Sequence, residues 1–408
     1  MLRFAWTLGM ALLLFPGCSG DGGFSDDGGP SSTHGWIPPW DRADAGADGD
    51  ADGDADPYKP QIVDAEITHP APQRTGCIRL DEGEGEGDHP ALFAIRDQWF
   101  AFFTEGISNE TAALALRVSV PDPVDFGPPV SLLYGAASID LVDEGGRLLA
   151  LASRMLYAVM LESDDGSAWT ELGNIAPDEP PYDCEGYPPA LFFRSETLIG
   201  HLAMGNDYNT GIFGCTDRLF FSTRTDTGWQ VPRQVGDGDA VFGFDGEGRL
   251  TLVSTFGVYT STDEGATFDE IPGGDTTATQ IRGSGGAWVG GRLVLVQTYN
   301  YANENVIAVL MSDDSGASWP LQVVLQRSGG IFGAPVVASD GESLAVAFWA
   351  PSGLEVMTSP DRGETWSEPG RFDDPDAGAA ADGYSIAILG TRVAVLSSSN
   401  GIRFCRGE

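Results

Sequence analysis

The sequence predicts an all-β fold, a seven-bladed β-propeller with six blades as the alternative, its ring closed by a strand from the N-terminal side. Three observations predict it. Val, Ile, Leu and Phe fall in short runs broken by Gly and Asp, without a long stretch of helical apolar spacing, which is the pattern of many short strands. From Ala91 onward an acidic turn closed by an aromatic residue recurs. The last unit is one strand short of the others, and a suitable strand precedes the first unit.

The turns carry most of the argument. Ser261-Thr262-Asp263-Glu264-Gly265-Ala266-Thr267-Phe268, Ser312-Asp313-Asp314-Ser315-Gly316-Ala317-Ser318-Trp319 and Ser359-Pro360-Asp361-Arg362-Gly363-Glu364-Thr365-Trp366 match almost letter for letter. Another copy keeps Asp164, Gly166 and Trp169 but has Glu162 where Ser is expected. Ser119 to Phe126 and Ser222 to Trp229 keep only the frame and read as decayed copies. The closing aromatics recur at roughly 40 to 60 residues, the length of a four-stranded blade. Each conserved type has a structural use: Asp bonds the amides of its own turn, Gly takes positive φ, and the aromatic fills the blade's hydrophobic layer.

These turns resemble the Asp boxes, or BNR repeats, of the sialidase-like propeller superfamily, and they extend over most of the chain. The resemblance implies that each box joins a blade's third and fourth strands on the face away from the ligand site, so the box carboxylates are expected to be structural. It does not carry sialidase activity with it. His89-Pro90-Ala91-Leu92 stands where that family has an Arg-Ile-Pro element, and its arginine triad and Tyr/Glu pair find no matching motif here.

At the C-terminus, Tyr384–Leu389, Arg392–Leu396 and Gly401–Cys405 read as three strands, with Gly76–Leu80 suited to supply the fourth. This places Cys77 beside Cys405, and a bond there would contribute about 2 to 4 kcal/mol. Cys184 and Cys215 are then expected to pair with each other, bracing loops around the third blade. No close Cys pairs and no clustered His residues suggest zinc, and no metal or cofactor is expected.

Residues 1–18 read as a secretory signal: Arg3, an apolar run from Phe4 to Phe15, then Pro16-Gly17-Cys18, which resembles a bacterial lipobox with Cys18 as the acylated residue. The run is too short to span a bilayer. Residues 19–74, rich in Gly, Asp, Ser, Pro and Ala, read as a disordered tether with a reach of about 40 Å, and residues 75–408 as the propeller. The tract from Asp48 begins like a calcium loop, but its twelfth position is Lys59, so a solvated acidic linker is expected. The expected location is the bacterial cell envelope, as an outer-membrane or surface lipoprotein attached through its lipid alone.

A formal net charge of −38, with Lys59 as the only lysine, repels phosphate backbones and excludes nucleic acid as a partner. The expected partner is a glycan or a surface protein, bound by a monomer. Candidate ligand residues are Tyr182, Glu185, Asp207, Tyr208, Tyr299, Tyr301 and Glu304. They lie in segments that a propeller places on the face opposite the boxes. Tyr with Asn, Asp and Glu suits sugars, whose C–H faces stack on rings while their hydroxyls need directional partners. Turns also favour Asn and Asp for their own reasons. The function expected is a binding or scaffolding module; the alternative is a glycoside hydrolase, which needs two suitably spaced carboxylates.

Overall fold

The computed structural model describes residues 61–81, 88–105, 113–120, 125–134, 136–154, 157–175, 190–194, 199–207, 216–225, 228–230, 233–237, 240–246, 249–254, 258–271, 285–301, 304–328, 333, 335–373, 383–398 and 401–408. Among them the strands form seven sheets of four or five strands and one two-stranded pair. Six of the seven sheets take their core strands from one continuous stretch each, beginning at Asp88, Ala136, Ala190, Ala240, Gly286 and Val336. We number these blades one to six. Blade seven combines Tyr384–Leu389, Arg392–Ser397 and Arg403–Gly407 with a strand from the other end of the chain, Arg74–Arg79. The first strand of each blade touches that of the next, and Tyr384–Leu389 touches Asp88–Ile95, so the innermost strands close a ring. The fold is an all-β propeller.

The second strands show why the runs are apolar on both faces. In blade one, Phe100 and Phe102 pack toward blade two with Leu148 and Ala150, while Trp99, Ala101 and Phe103 pack toward blade seven with Leu396 and Phe404. In blade five, Val294 and Val296 join Leu344 and Phe348 of blade six, whereas Leu293 and Leu295 join Val253 of blade four. Successive side chains of a strand point to opposite faces, so a strand wedged between two blades must be apolar at every position. The hydrophobic core is thus a series of joints between blades.

The N-terminal part departs from the expected tether. Two strands, β1 (Gln61–Asp64) and β2 (Glu66–His69), lie where residues up to 74 were expected to be disordered, and β3 (Arg74–Arg79) is the closing strand expected around Cys77, begun at Arg74. β1 pairs in parallel with Leu321–Val324 of blade five, and β2 pairs in parallel with Thr365–Ser367 of blade six. β3 pairs antiparallel with Arg403–Gly407, with Cys77 opposite Cys405. The reason lies in a few apolar residues within a polar stretch: Ile62 packs against the outer core of blade five, and Val63 and Ala65 pack against the joint between blades five and six. Cys77 and Cys405 form a disulfide. The expected pairing of Cys184 with Cys215, and the expected acylation at Cys18, lie outside the described residues. Among the described residues no helix is long and apolar enough to cross a membrane.

Candidate functional site

The repeated turns define one face of the ring. Ser261 Oγ accepts the Gly265 amide at 2.8 Å and donates to Asp263 Oδ1 at 2.7 Å. Asp263 also accepts the Thr267 amide at 2.8 Å and the Thr267 hydroxyl at 2.7 Å. The same set joins Ser312, Asp314, Gly316 and Ser318, and again Ser359, Asp361, Gly363 and Thr365. The carboxylate closes the turn by replacing water on donors that face inward. Hydrogen bonds from the Thr267 amide, the Thr267 hydroxyl and then Ser261 draw the Asp263 carboxyl down to about 2. At Asp314 and Asp361 burial pushes upward, but the hydroxyl and amide donors outweigh it and hold both below the ordinary carboxylate range. Both oxygens of each carboxylate are engaged by the turn, and the lowered carboxyls make poor proton acceptors near neutral pH.

Two details correct the sequence reading. In the copy around Asp164 the serine is Ser163, whose Oγ accepts the Gly166 amide at 2.8 Å across a turn one residue shorter than the others. The carboxylate serving that turn is Asp165, which accepts the Ser167 amide and hydroxyl, while Asp164 offers its backbone carbonyl to Arg96. The closing aromatics also pack between blades, not within one. Trp169 meets Phe102 of blade one edge-on at 6.4 Å, Phe268 meets Phe221 of blade three at 5.1 Å, and Phe126 meets Phe404 of blade seven at 4.9 Å. Trp366 sits in the joint with blade five and Trp319 in that with blade four. A turn that follows a blade's third strand reaches sideways, so its ring lands on the preceding neighbour.

In an antiparallel meander, successive turns alternate between the two sheet edges. Turns between first and second strands therefore share the face of the repeated turns, as the hydrogen bond from Arg96 to the Asp164 carbonyl shows. Arg96, in such a turn of blade one, pairs with Asp143 of blade two at 2.7 Å. The connections between second and third strands, and those from blade to blade, lie on the opposite face.

The described candidates fall there. Asp207 ends the second strand of blade three, Tyr299 and Tyr301 lie at the end of that of blade five, and Glu304, exposed, begins the following strand. Tyr182, Glu185 and Tyr208 lie outside the described residues. The structure adds two aromatics on the same edge, in the joint between blades six and seven: Trp349, near the end of a second strand, and Tyr384, at the start of a first strand. The Trp349 amide donates to Tyr384 Oη at 3.2 Å, and the Trp349 carbonyl accepts the Gly333 amide at 2.9 Å. Burial raises the Tyr384 hydroxyl far above the ordinary phenol range, so it stays protonated at any physiological pH. Nearby, Ser398 Oγ accepts the Gly383 amide at 2.9 Å, and Ser385 Oγ accepts the Leu92 amide of blade one at 3.1 Å, fixing the start of the innermost strand. Glu355 accepts a hydrogen bond from Ser352, and Arg371 holds Asp373 at 2.5 Å on the outer part of that face. Sequence reasoning missed Trp349 and Tyr384 because each lies inside an apolar strand. Their position at a strand end on the open face, readable from the box register, was the available signal.

Among the described residues no group of three or more His, Cys, Asp or Glu could hold a metal ion.

No family model and no curated protein matches the chain. Among solved structures it is similar to a NanB sialidase from Streptococcus pneumoniae, at 14% identity over 81% of this chain and 70% of that one, with a TM-score of 0.43. It is also similar to an ulvan lyase from a family of polysaccharide lyases, at 14% identity over 70% and 81% and a TM-score of 0.47. The WD40 domain of SCAP from fission yeast aligns at 8% identity over 81% and 97%, with a TM-score of 0.44. These likenesses concern the chain path only; the propeller assignment stands on the strand pairing itself.

Proposed function

We propose that this chain is an envelope-attached propeller that binds a carbohydrate on the face opposite its Asp-box turns, acting as a binding or scaffolding module. The observation that carries the reading is positional: Asp207, Tyr299, Tyr301 and Glu304 lie at strand ends on the edge opposite the repeated turns, and Trp349 and Tyr384 lie at the same edge in the joint between blades six and seven. The opposite edge is spent on the turns, whose hydrogen-bond pattern supports reading them as Asp boxes. Aromatic residues with carboxylate and hydroxyl neighbours suit the alternating apolar and polar faces of a sugar. The formal charge of −38 favours neutral or cationic ligands over polyanions.

Attachment is assigned to acylation of Cys18 and placed in the bacterial envelope. Metabolic acyl labelling of the wild type should be lost in Cys18→Ser; equal labelling rejects the anchor. For ligand class, the mature protein on a glycan array should bind a restricted set of neutral glycans. Binding should fall at least tenfold in Trp349→Ala and in the double variant Tyr299→Ala, Tyr301→Ala. Binding to no glycan, or unchanged binding in both variants, overturns the carbohydrate reading. Hydrolysis of a chromogenic glycoside in a parallel panel would replace the binding module by the hydrolase alternative.

A further inference from the structure

The N-terminal strands run in succession along blades five, six and seven. β1 begins beside the box turn of blade five, where the Gln61 amide donates to the Pro320 carbonyl at 2.8 Å. The chain then crosses to blade six, where His69 Nε2 lies 3.0 Å from Thr365 Oγ1, and passes over Gly370 so closely that a side chain there would strike the Pro72 carbonyl. It reaches blade seven at β3, where the Gln73 amide donates to the Glu408 carbonyl at 2.9 Å and Cys77 is bonded to Cys405. Before Cys77 the attachment is by short strands and a few apolar contacts, those of Ile62, Val63 and Ala65. β1 and β2 have four residues each, Ile67 is 44% exposed, and the ion pair of Asp64 with Arg327 at 2.8 Å is at the surface, where such pairs contribute little.

We propose that residues 61–76 are a strap that peels under tension and that the Cys77–Cys405 disulfide is its stop. Load applied to the N-terminal segment strips β1 from blade five and β2 from blade six, one after the other. At Cys77 it passes through a covalent bond into Cys405, on the neighbouring strand of blade seven. When the chain is held at residues 1 and 408, the segment between the two cysteines, a sequence separation of 328, lies outside the load path and stays folded. Without the bond, the same load reaches β3 and pulls the closing strand out of blade seven, which opens the ring at its composite joint. The inference rests on the strand order and the bond, and it holds whatever the ligand is and however the N-terminus is attached.

The test is single-molecule stretching of the full chain held by its two ends. In oxidised wild type, loss of the strap should free about sixteen residues, a gain below their contour of roughly 55 Å at about 3.5 Å per residue because the strap is already extended, with no longer event. In the double variant Cys77→Ser, Cys405→Ser the ring should unravel and release on the order of 1000 Å. If that variant does not fold, a phosphine reductant added to wild type already under load should produce the long release. A long release from oxidised wild type, or none after the bond is removed, overturns the proposal.

Discussion

Arg292 and Arg362 clasp each other's backbone across the joint between blades five and six. Arg292 Nη1 donates to the Arg362 carbonyl at 3.2 Å, while Arg362 Nη1 donates to the carbonyl of Gly290, two residues before Arg292, at 3.1 Å. Arg292 is held in place by Asp313 at 2.7 Å, and Arg362 takes positive φ in its box turn. The box therefore joins neighbouring blades through its backbone as well as through its aromatic ring.

The first prediction concerns that ring. Trp366 is fully buried between blades five and six, so Trp366→Ala should cost about 3 to 5 kcal/mol through the cavity it leaves. Chemical denaturation gives the value, and a loss below about 1 kcal/mol would contradict the joint.

A subtler comparison separates the two box tryptophans. Trp366 Nε1 donates to the Gly363 carbonyl at 3.0 Å, whereas Trp319 Nε1 is buried with no hydrogen-bond partner among the described residues. Changing Trp366 to Phe removes a bond worth about 1 kcal/mol; changing Trp319 to Phe removes an unsatisfied donor and should be better tolerated. Unfolding midpoints of the two variants should rank in that order, and the reverse ranking refutes the assignment.

Gly316 has a φ of +86°, and a Cβ there would lie 2.8 Å from Thr251 Cγ2 of blade four. Gly316→Ala thus combines backbone strain of about 1 to 2 kcal/mol with a clash against the neighbouring blade. Pairing it with Thr251→Ser, which removes the opposing methyl and keeps the hydroxyl that bonds the Ser315 carbonyl, should recover part of the loss. Strict additivity in that double-mutant cycle would show that the two residues do not meet.

Acid should loosen the box turns in a defined window. The folded-state carboxyls of Asp263, Asp314 and Asp361 lie below their ordinary values. Their contribution is therefore fully present above the unfolded value of about 3.9 and is lost as pH falls through the folded ones, which for Asp263 is about 2. Urea midpoints followed from pH 5 to pH 2 should fall, and Asp361→Asn should start lower and fall less. An Asn variant with the full wild-type slope would place the acid sensitivity elsewhere.

What the sequence determined by itself is local and periodic. Ser261, Asp263, Gly265 and Thr267 lie within seven residues, so their turn can be read before any tertiary contact is known, and its recurrence sets the ring of sheets. The partnership of Cys77 with Cys405 was also legible, because one missing strand at the C-terminus leaves one place for an added one. Only tertiary structure could decide where the box aromatics land. Alternation tells which residues are apolar but not which of two flanking blades each side faces, and Trp169 and Phe268 turn out to belong to the preceding neighbour's joint. The same holds for β1 and β2. Gln61–His69 has too few apolar residues to signal a strand alone, and it becomes one because the outer edges of blades five and six offer backbone partners that water would otherwise fill. Trp349 and Tyr384, far apart in the chain and each inside an apolar run, meet because ring closure brings blades six and seven side by side, a contact that no local pattern encodes.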